Sequence, residues 1–480
     1  MPETPYKYPD LPPELRGGLN WRLFSYFGAG AIIASVTIGS GETVFASRGG
    51  AVFGYALMWC FVFGAIMKCI QVYTAARYMT LTGEHPMTHW GRLPGPRNWV
   101  PIVIGLLSLV CFPFWLAGLP KMLGDFINWV FDLGQGDEQQ MLKLARLWGS
   151  AAIVVAMTLT MLQTYAILER VQTVIVALLL LSVAGACLAT RPDWISALVG
   201  TFVPMVPDYE DWIASEYPKI AARAPWVEVA VYLGALGGGT YDYIGYIGCL
   251  REKKWGLIGR VDNNVATSGT LSIGTDQDNL HRARRWLRAP KIDVGVSFAC
   301  ILFFTLCFVL LGAAILHEKH LIPAGNELLS HQATFLTGVH GSLQYVYHVG
   351  IFMAFWGTIY GAYELYTRTT YECILPLHPK LRHLPHSRVR LPVMIYVGVG
   401  GLILLWTVKE PIKMVTPAAI IGGVFACGLW CFAMIWADRH FLPRPLRMGR
   451  ILLMLTTISG VVMTVMGAKA MWDYAAKWIE

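Results

Sequence analysis

Charge is scarce in this chain. Of its 480 residues only 14% are Asp, Glu, Lys or Arg, against 55% apolar residues and a mean hydropathy of +0.50. A soluble chain carries about a quarter charged residues, so an ordinary water-soluble globule is excluded. Paired cysteines are lacking as well. The ten cysteines, among them Cys60, Cys69, Cys300, Cys307, Cys427 and Cys431, sit in or beside apolar runs and form no CxxC pair. They read as small core residues, which argues against a disulfide framework and against a structural zinc site. The segment Met1 to Asn20 lacks the charged-then-apolar form of a cleaved signal, so insertion would use the first apolar run itself. No P-loop, HExxH or nucleophile motif occurs, and neither an enzyme nor a bound cofactor has positive support.

What the chain does have is apolar length. Runs of roughly twenty residues, long enough to cross a bilayer core as helix, fall near 22–46, 52–78, 98–119, 147–166, 171–190, 226–250, 294–316, 342–367, 391–408, 414–436 and 449–471. They predict an all-α polytopic membrane protein with about eleven spans. One transmembrane domain (22–471) is then preceded by a segment 1–21 and followed by a tail 472–480.

The formal net charge of +8 suits an anionic surface or nucleic acid, but its placement decides. Nine Lys or Arg lie between Arg251 and Lys291, and Lys380, Arg382, Arg388 and Arg390, then Arg439, Arg444, Arg447 and Arg450, fill two later loops. The alternate loops carry Asp125, Asp132, Asp137 and Glu138, then Asp208, Glu210, Asp211 and Glu216. This is topology-setting charge rather than a nucleic-acid groove, and it puts the N-terminus in the cytoplasm and the C-terminus outside. The basic cytoplasmic loop (251–291) contains a Gly- and polar-rich stretch, Gly256 to Asn279, expected to be a mobile connection. The segment His281 to Lys291 that follows could lie on anionic lipid or stay solvated.

Two apolar runs share a peculiarity. The first reads Gly28-Ala29-Gly30, then Gly39-Ser40-Gly41-Glu42-Thr43, and the sixth reads Gly234-Ala235-Leu236-Gly237-Gly238-Gly239-Thr240-Tyr241-Asp242. Each mid-helix glycine costs about 1 kcal/mol relative to alanine, and backbone left unpaired in lipid must face protein, water or a solute. Glycine-interrupted segments in corresponding positions point to a transporter's midplane site. Gly28 and Gly30 are expected to serve close packing, whereas Gly39–Gly41 and Gly237–Gly239 are expected to break their helices. Ser40 and Thr240 would cap the restarting halves. Glu42 and Asp242 would turn the site toward a cation, unless they only complement a helix dipole.

At these residues the sequence resembles the Nramp family of divalent-metal transporters. The resemblance is carried by GAGAIIASVTIGSGETVFASRGGAVFGYALMW (Gly28 to Trp59), by ARYMTLTGEHP after the second run, by YAILERVQTVIVALLLLSVAGACLA, and by Gly200-Thr201-Phe202-Val203-Pro204. It implies a LeuT-type inverted repeat (5+5) plus one extra span, with repeat one about 22–190, repeat two about 226–436 and the extra span about 449–471. The family's first-span signature Asp-Pro-Gly-Asn becomes Gly39-Ser40-Gly41-Glu42 here, so the metal-binding Asp is replaced by Gly39. The family's substrate methionine falls at Gly238, its Pro-His at Gly239-Thr240, and its carbonyl ligand at Ala235. Without the soft methionine sulfur, the remaining oxygens suit a hard, partly hydrated cation, similar to the Nramp-related magnesium transporters. The implied metal-site residues are Glu42, Ala235 and Asp242, with Gly39, Ser40, Gly41, Thr43, Gly238, Gly239 and Thr240 around them.

Other residues bear on the reading. The third run has no carboxylate from Cys111 to Gly124, which argues against the family's proton route. Glu364 could substitute, although Arg368 one turn away offers it a structural partner. Lys68, inside the second run, either snorkels toward the cytoplasm or pairs with Glu42 or Asp242, and pairing would favour an organic solute such as an amino acid. His317, His320, His331 and His340 could collect metal in an outer loop, or merely be solvated. The expected function is cation transport by alternating access. Organic-solute transport on the same fold, and a non-transporting receptor or scaffold, are the alternatives.

Overall fold

Apolar runs in a bilayer satisfy their backbone only as helix, and helix is what these runs form. A computed structural model of the chain describes residues 5–18, 20–134, 136–162, 164–222, 224–261, 272–322, 343–408 and 420–476. Among these, no strand occurs beyond a single bridge between Tyr6 and Ile273.

Eight helices are long and apolar enough to cross a membrane: Met58–Thr82, Trp99–Val130, Glu138–Leu162, Tyr165–Thr190, Gln277–His317, His386–Thr407, Ile421–Phe441 and Arg450–Asp473. The other three runs are helical but interrupted or polar. The first comprises Ala29–Thr37, Ile38–Ala46 and Ser47–Phe53. The sixth comprises Pro225–Ala235 and Thr240–Cys249. The eighth, Leu343–Ile374, carries Glu364, Arg368 and Glu372 within its length. The first run starts later than its hydropathy suggested, because Trp21–Tyr26 forms a separate 3-10 turn.

Burial sorts the helices into an inner and an outer set. Every residue of Ala29–Thr37 is buried, among helices Tyr165–Thr190, Arg288–Leu311 and Leu343–Ile374. The peripheral helices instead expose large apolar side chains, including Leu162, Leu181, Leu188, Ile403, Ile458 and Val465. Such a belt suits lipid rather than water. The two glycine-rich runs therefore lie at the centre, shielded from the bilayer by their neighbours.

On the side of the basic loop, the N-terminal segment is folded onto the helix Gln277–Trp286. Tyr8 N donates to Asn279 Oδ1 at 2.7 Å, Tyr8 OH to Leu81 O at 2.8 Å, and Trp286 Nε1 to Pro9 O at 3.1 Å. Arg282 pairs with Asp10, while Arg285 and Arg288 donate to Gly17 O. In the basic segment His281–Lys291, Arg282 therefore meets an acid, and Arg285 and Arg288 a carbonyl, of the folded N-terminus, while His281, Arg284 and Lys291 stay exposed. Of the expected mobile connection, 262–271 lies outside the described residues; of the rest, Leu257, Ile258 and Val261 are buried and Gln277 to Asn279 opens the helix Gln277–Trp286.

Candidate functional site

The two glycine clusters meet at the centre of the inner set, in different backbone states. Gly237 and Gly238 adopt φ of +69° and +79°, where L-residues with a Cβ are strained. The helix that ends at Ala235 therefore stops, and another begins at Thr240. This run is interrupted as expected. The first run is not: residues Ile38–Ala46 wind as π-helix, continuous with the α-helices on either side. The reason is steric. A side chain at Gly39 would meet Thr358 Oγ1 and the Ala354 carbonyl of the eighth run, so the absent Cβ admits a neighbouring helix instead of releasing the chain. A π-turn widens the helix without giving up its backbone bonds, and such turns recur at functional sites.

The broken run exposes peptide groups, and side chains from three elements take them. Lys68 is wholly buried, and its Nζ donates to Leu236 O at 2.5 Å and to Gly238 O at 2.8 Å. Tyr243 OH donates to the carbonyl between them, Gly237 O, at 2.8 Å. Glu42, 1% exposed, accepts from Gly237 N through Oε1 at 2.6 Å. Its other oxygen, Oε2, is buried and has no hydrogen-bond partner among the described residues. Asp242 Oδ2 accepts from Gly239 N at 2.9 Å.

Several expectations change on this geometry. Lys68 does not snorkel to the cytoplasm, because released carbonyls within the protein offer its ammonium better partners than a distant interface. Thr240 is not a cap. Gly239 holds the N-cap position, Asp242 one turn on supplies the acceptor, and Thr240 Oγ1 donates across to Gly422 O at 2.9 Å. Asp242 therefore performs the helix-terminal role. Thr43 Oγ1 bonds back to Gly39 O at 3.2 Å within the π-turn. The Ser40 cap, and side-chain detail at Gly41 and Ala235, lie outside the described residues. At Gly238, where the resemblance implies a methionine, a Cβ would lie 2.6 Å from Thr37 Cγ2, too close for a larger residue unless a neighbour shifts.

Gly28 and Gly30 serve packing as expected, and also the start of the helix. Asp293, 0% exposed, accepts from both Gly28 N and Gly30 N at 2.9 Å and from Tyr246 OH at 2.7 Å. Asp293 is not singled out by the sequence, because it falls one residue before the apolar run that begins near 294. Tyr243 and Gly422 are likewise unmarked, although the pair Gly422-Gly423 was a visible signal.

Glu364 is consumed by ion pairing, with Arg368 Nε at 2.6 Å and Arg390 at 3.5 Å, while Arg368 also reaches Glu252 at 3.0 Å. His317 lies 3.3 Å from Glu210, and His320 stacks on Trp212 with centroids 4.5 Å apart. His331 and His340 are outside the described residues. Among those described, no three His, Cys, Asp or Glu are gathered as a metal cage.

A family model described as natural resistance-associated macrophage protein-like (Nramp) matches residues 30–473. Crystal structures of the Eremococcus coleocola manganese transporter share the fold. The complex with an aromatic bis-isothiourea compound aligns with a TM-score of 0.66 at 12% identity, covering 98% of this chain and 90% of that one. A histidine-to-alanine mutant aligns with a TM-score of 0.63 at 13% identity, covering 95% and 88%. No protein of curated function matches the chain.

Proposed function

Since the chain belongs to the Nramp family, we propose that this multi-pass membrane protein transports a cation by alternating access, between the π-turn Ile38–Ala46 and the break at Leu236–Gly239. Glu42 Oε2 carries the reading: among the described residues this buried carboxylate oxygen has no hydrogen-bond partner, while Oε1 bonds to the break at Gly237 N. Leaving such an atom uncompensated costs on the order of 1–3 kcal/mol, and a cation passing the break would satisfy it. The lack of soft sulfur at Gly238 favours a hard divalent ion, magnesium or manganese, over softer metals. Charge placement supports a cytoplasmic N-terminus and an extracytoplasmic C-terminus, and the reading takes the membrane to be of bacterial inner (plasma) type.

One observation favours a second reading. Lys68 lies close enough to Glu42 and Asp242 to interact electrostatically with both, which lowers the site's net negative charge and suits an organic solute with its own carboxylate. Uptake into proteoliposomes separates the two. Cation transport predicts magnesium or manganese flux that Glu42→Gln reduces at least about tenfold, the effect of losing one charge-assisted contact. Metal flux indifferent to Glu42→Gln would remove Glu42 from the path. Amino-acid flux alone would favour the second reading, and no flux of any solute would favour a receptor or scaffold.

A further inference from the structure

The carbonyls released by a broken helix are the groups a dehydrated cation would use, and here they are already held. Lys68 Nζ bridges Leu236 O and Gly238 O across the break. An ion within coordination range of these two oxygens would meet the ammonium's charge at close range. The donor is no accident of a flexible surface chain: Lys68 is 0% exposed and rises from the middle of Met58–Thr82. Its neighbours are arranged around the same three peptide units, with Glu42 on Gly237 N and Tyr243 on Gly237 O.

We propose that Lys68 is a tethered cation: its ammonium fills the carbonyl position of the break, and a transported cation must displace it or bind only at the Glu42 side. Lys68 is then the residue that sets charge selectivity in this chain. The competition works through position and charge together. A four-carbon stem ending in a compact charge can withdraw along Met58–Thr82 by rotamer change. While seated, it repels a second cation at close range within a poorly solvated interior. A divalent ion pays that repulsion twice over relative to a monovalent one. The proposal rests on the transport reading for its meaning but not for its test.

The test asks whether the ammonium can be supplied from solution. Lys68→Ala and Lys68→Met, purified in detergent, are melted with methylammonium chloride and, at equal ionic strength, with tetramethylammonium chloride, which has no N–H donor. Methylammonium is expected to raise the Tm of Lys68→Ala by several degrees in a saturable way, and tetramethylammonium is not. The wild-type chain, its position already filled, is expected to show no methylammonium-specific shift. Equal shifts in wild type and variant, or none in the variant, overturn the proposal. If both variants fold only when methylammonium is present during extraction, that dependence supports it. Collapse in methylammonium as well, while Lys68→Arg folds, overturns it. A second arm measures binding of manganese and magnesium. Lys68→Met is expected to bind them about tenfold or more tightly than wild type, and equal or weaker binding counts against the competition. Neither arm requires flux. Absent uptake with intact methylammonium rescue would therefore defeat the transport reading alone, and intact uptake without rescue would defeat this one alone.

Discussion

The first and sixth runs carry similar glycine clusters followed by an acid, yet one stays helical and the other comes apart. At Gly39 the missing Cβ makes room for the eighth run's Ala354 and Thr358. At Gly237 and Gly238 it permits positive φ. The difference teaches what a glycine cluster in a membrane needs before it can open. Released peptide groups must find partners, and the sixth run has four side chains that reach its break: Lys68, Tyr243, Glu42 and Asp242. The first run has packed helices on its sides instead, and a π-turn is as far as it departs from α.

The sharpest way to break this contrast is to restore the family's residue in the first run. Gly39→Asp would press a charged side chain against the Ala354 carbonyl. Overpacking costs about 1–3 kcal/mol and an unpaired buried carboxylate adds several more. The expected outcome is loss of folded, monodisperse protein on size-exclusion chromatography. A variant that folds normally and gains metal binding would mean the cluster is an unused ligand position rather than a packing notch.

A smaller effect is expected in the sixth run. Gly238→Ala keeps the break but strains it by about 1–2 kcal/mol for a non-glycine residue at positive φ, with the Thr37 Cγ2 contact at 2.6 Å added. Thr37→Ser removes that methyl and should recover part of the lost Tm. In the first run, Thr358→Ala should recover less of a Gly39→Ala loss, because the Ala354 backbone remains in the way. Equal recovery in the two pairs would erase the distinction between glycine for conformation and glycine for space.

The helical membrane architecture and the break in the sixth run were legible in the sequence because both depend on local composition: twenty apolar residues in a row, and three consecutive glycines. The winding of the first run was not legible. A π-turn and an unwound segment demand the same small residues, and what separates them is the neighbour 315 or more residues along the chain, at Ala354 and Thr358. The sequence leaves Lys68 open between snorkelling and pairing for a similar reason. A lysine's direction on a long helix depends on where acceptors lie, and Leu236 O and Gly238 O become acceptors only once the other helix breaks. Glu42 was legible as an intramembrane acid. That one of its oxygens would be spent on Gly237 N and the other left over was not. Asp293 shows the cost of trimming a span at its first apolar residue, since the acid that anchors Gly28 and Gly30 sits just before that boundary.

The smallest effect concerns what grips the second half of the broken run, as His317 Nδ1, 3.0 Å from Ala51 O, does for the first run. His85, beyond the end of Met58–Thr82, lies with Nε2 3.2 Å from Ile244 O, and its Nδ1 accepts from Met87 N at 3.1 Å. That pattern needs a neutral ring, and burial lowers its pKa to about 4. Beside it, burial raises Glu84 to about 7, opposed by Arg251 and reinforced by Glu372. The signs are opposite. Glu84 ionises near 4.5 when unfolded, so its contribution is full below that pH and is lost as pH climbs toward about 7. His85 costs stability as pH falls from 6.5 toward about 4. Glu84→Gln removes only the first dependence. The Tm of the variant minus that of the parent should therefore grow between about pH 5 and pH 7 and level off above, as linkage requires for a carboxyl held neutral in the folded state. A difference that stays flat, or that shrinks with rising pH, would mean Glu84 is ionised in place.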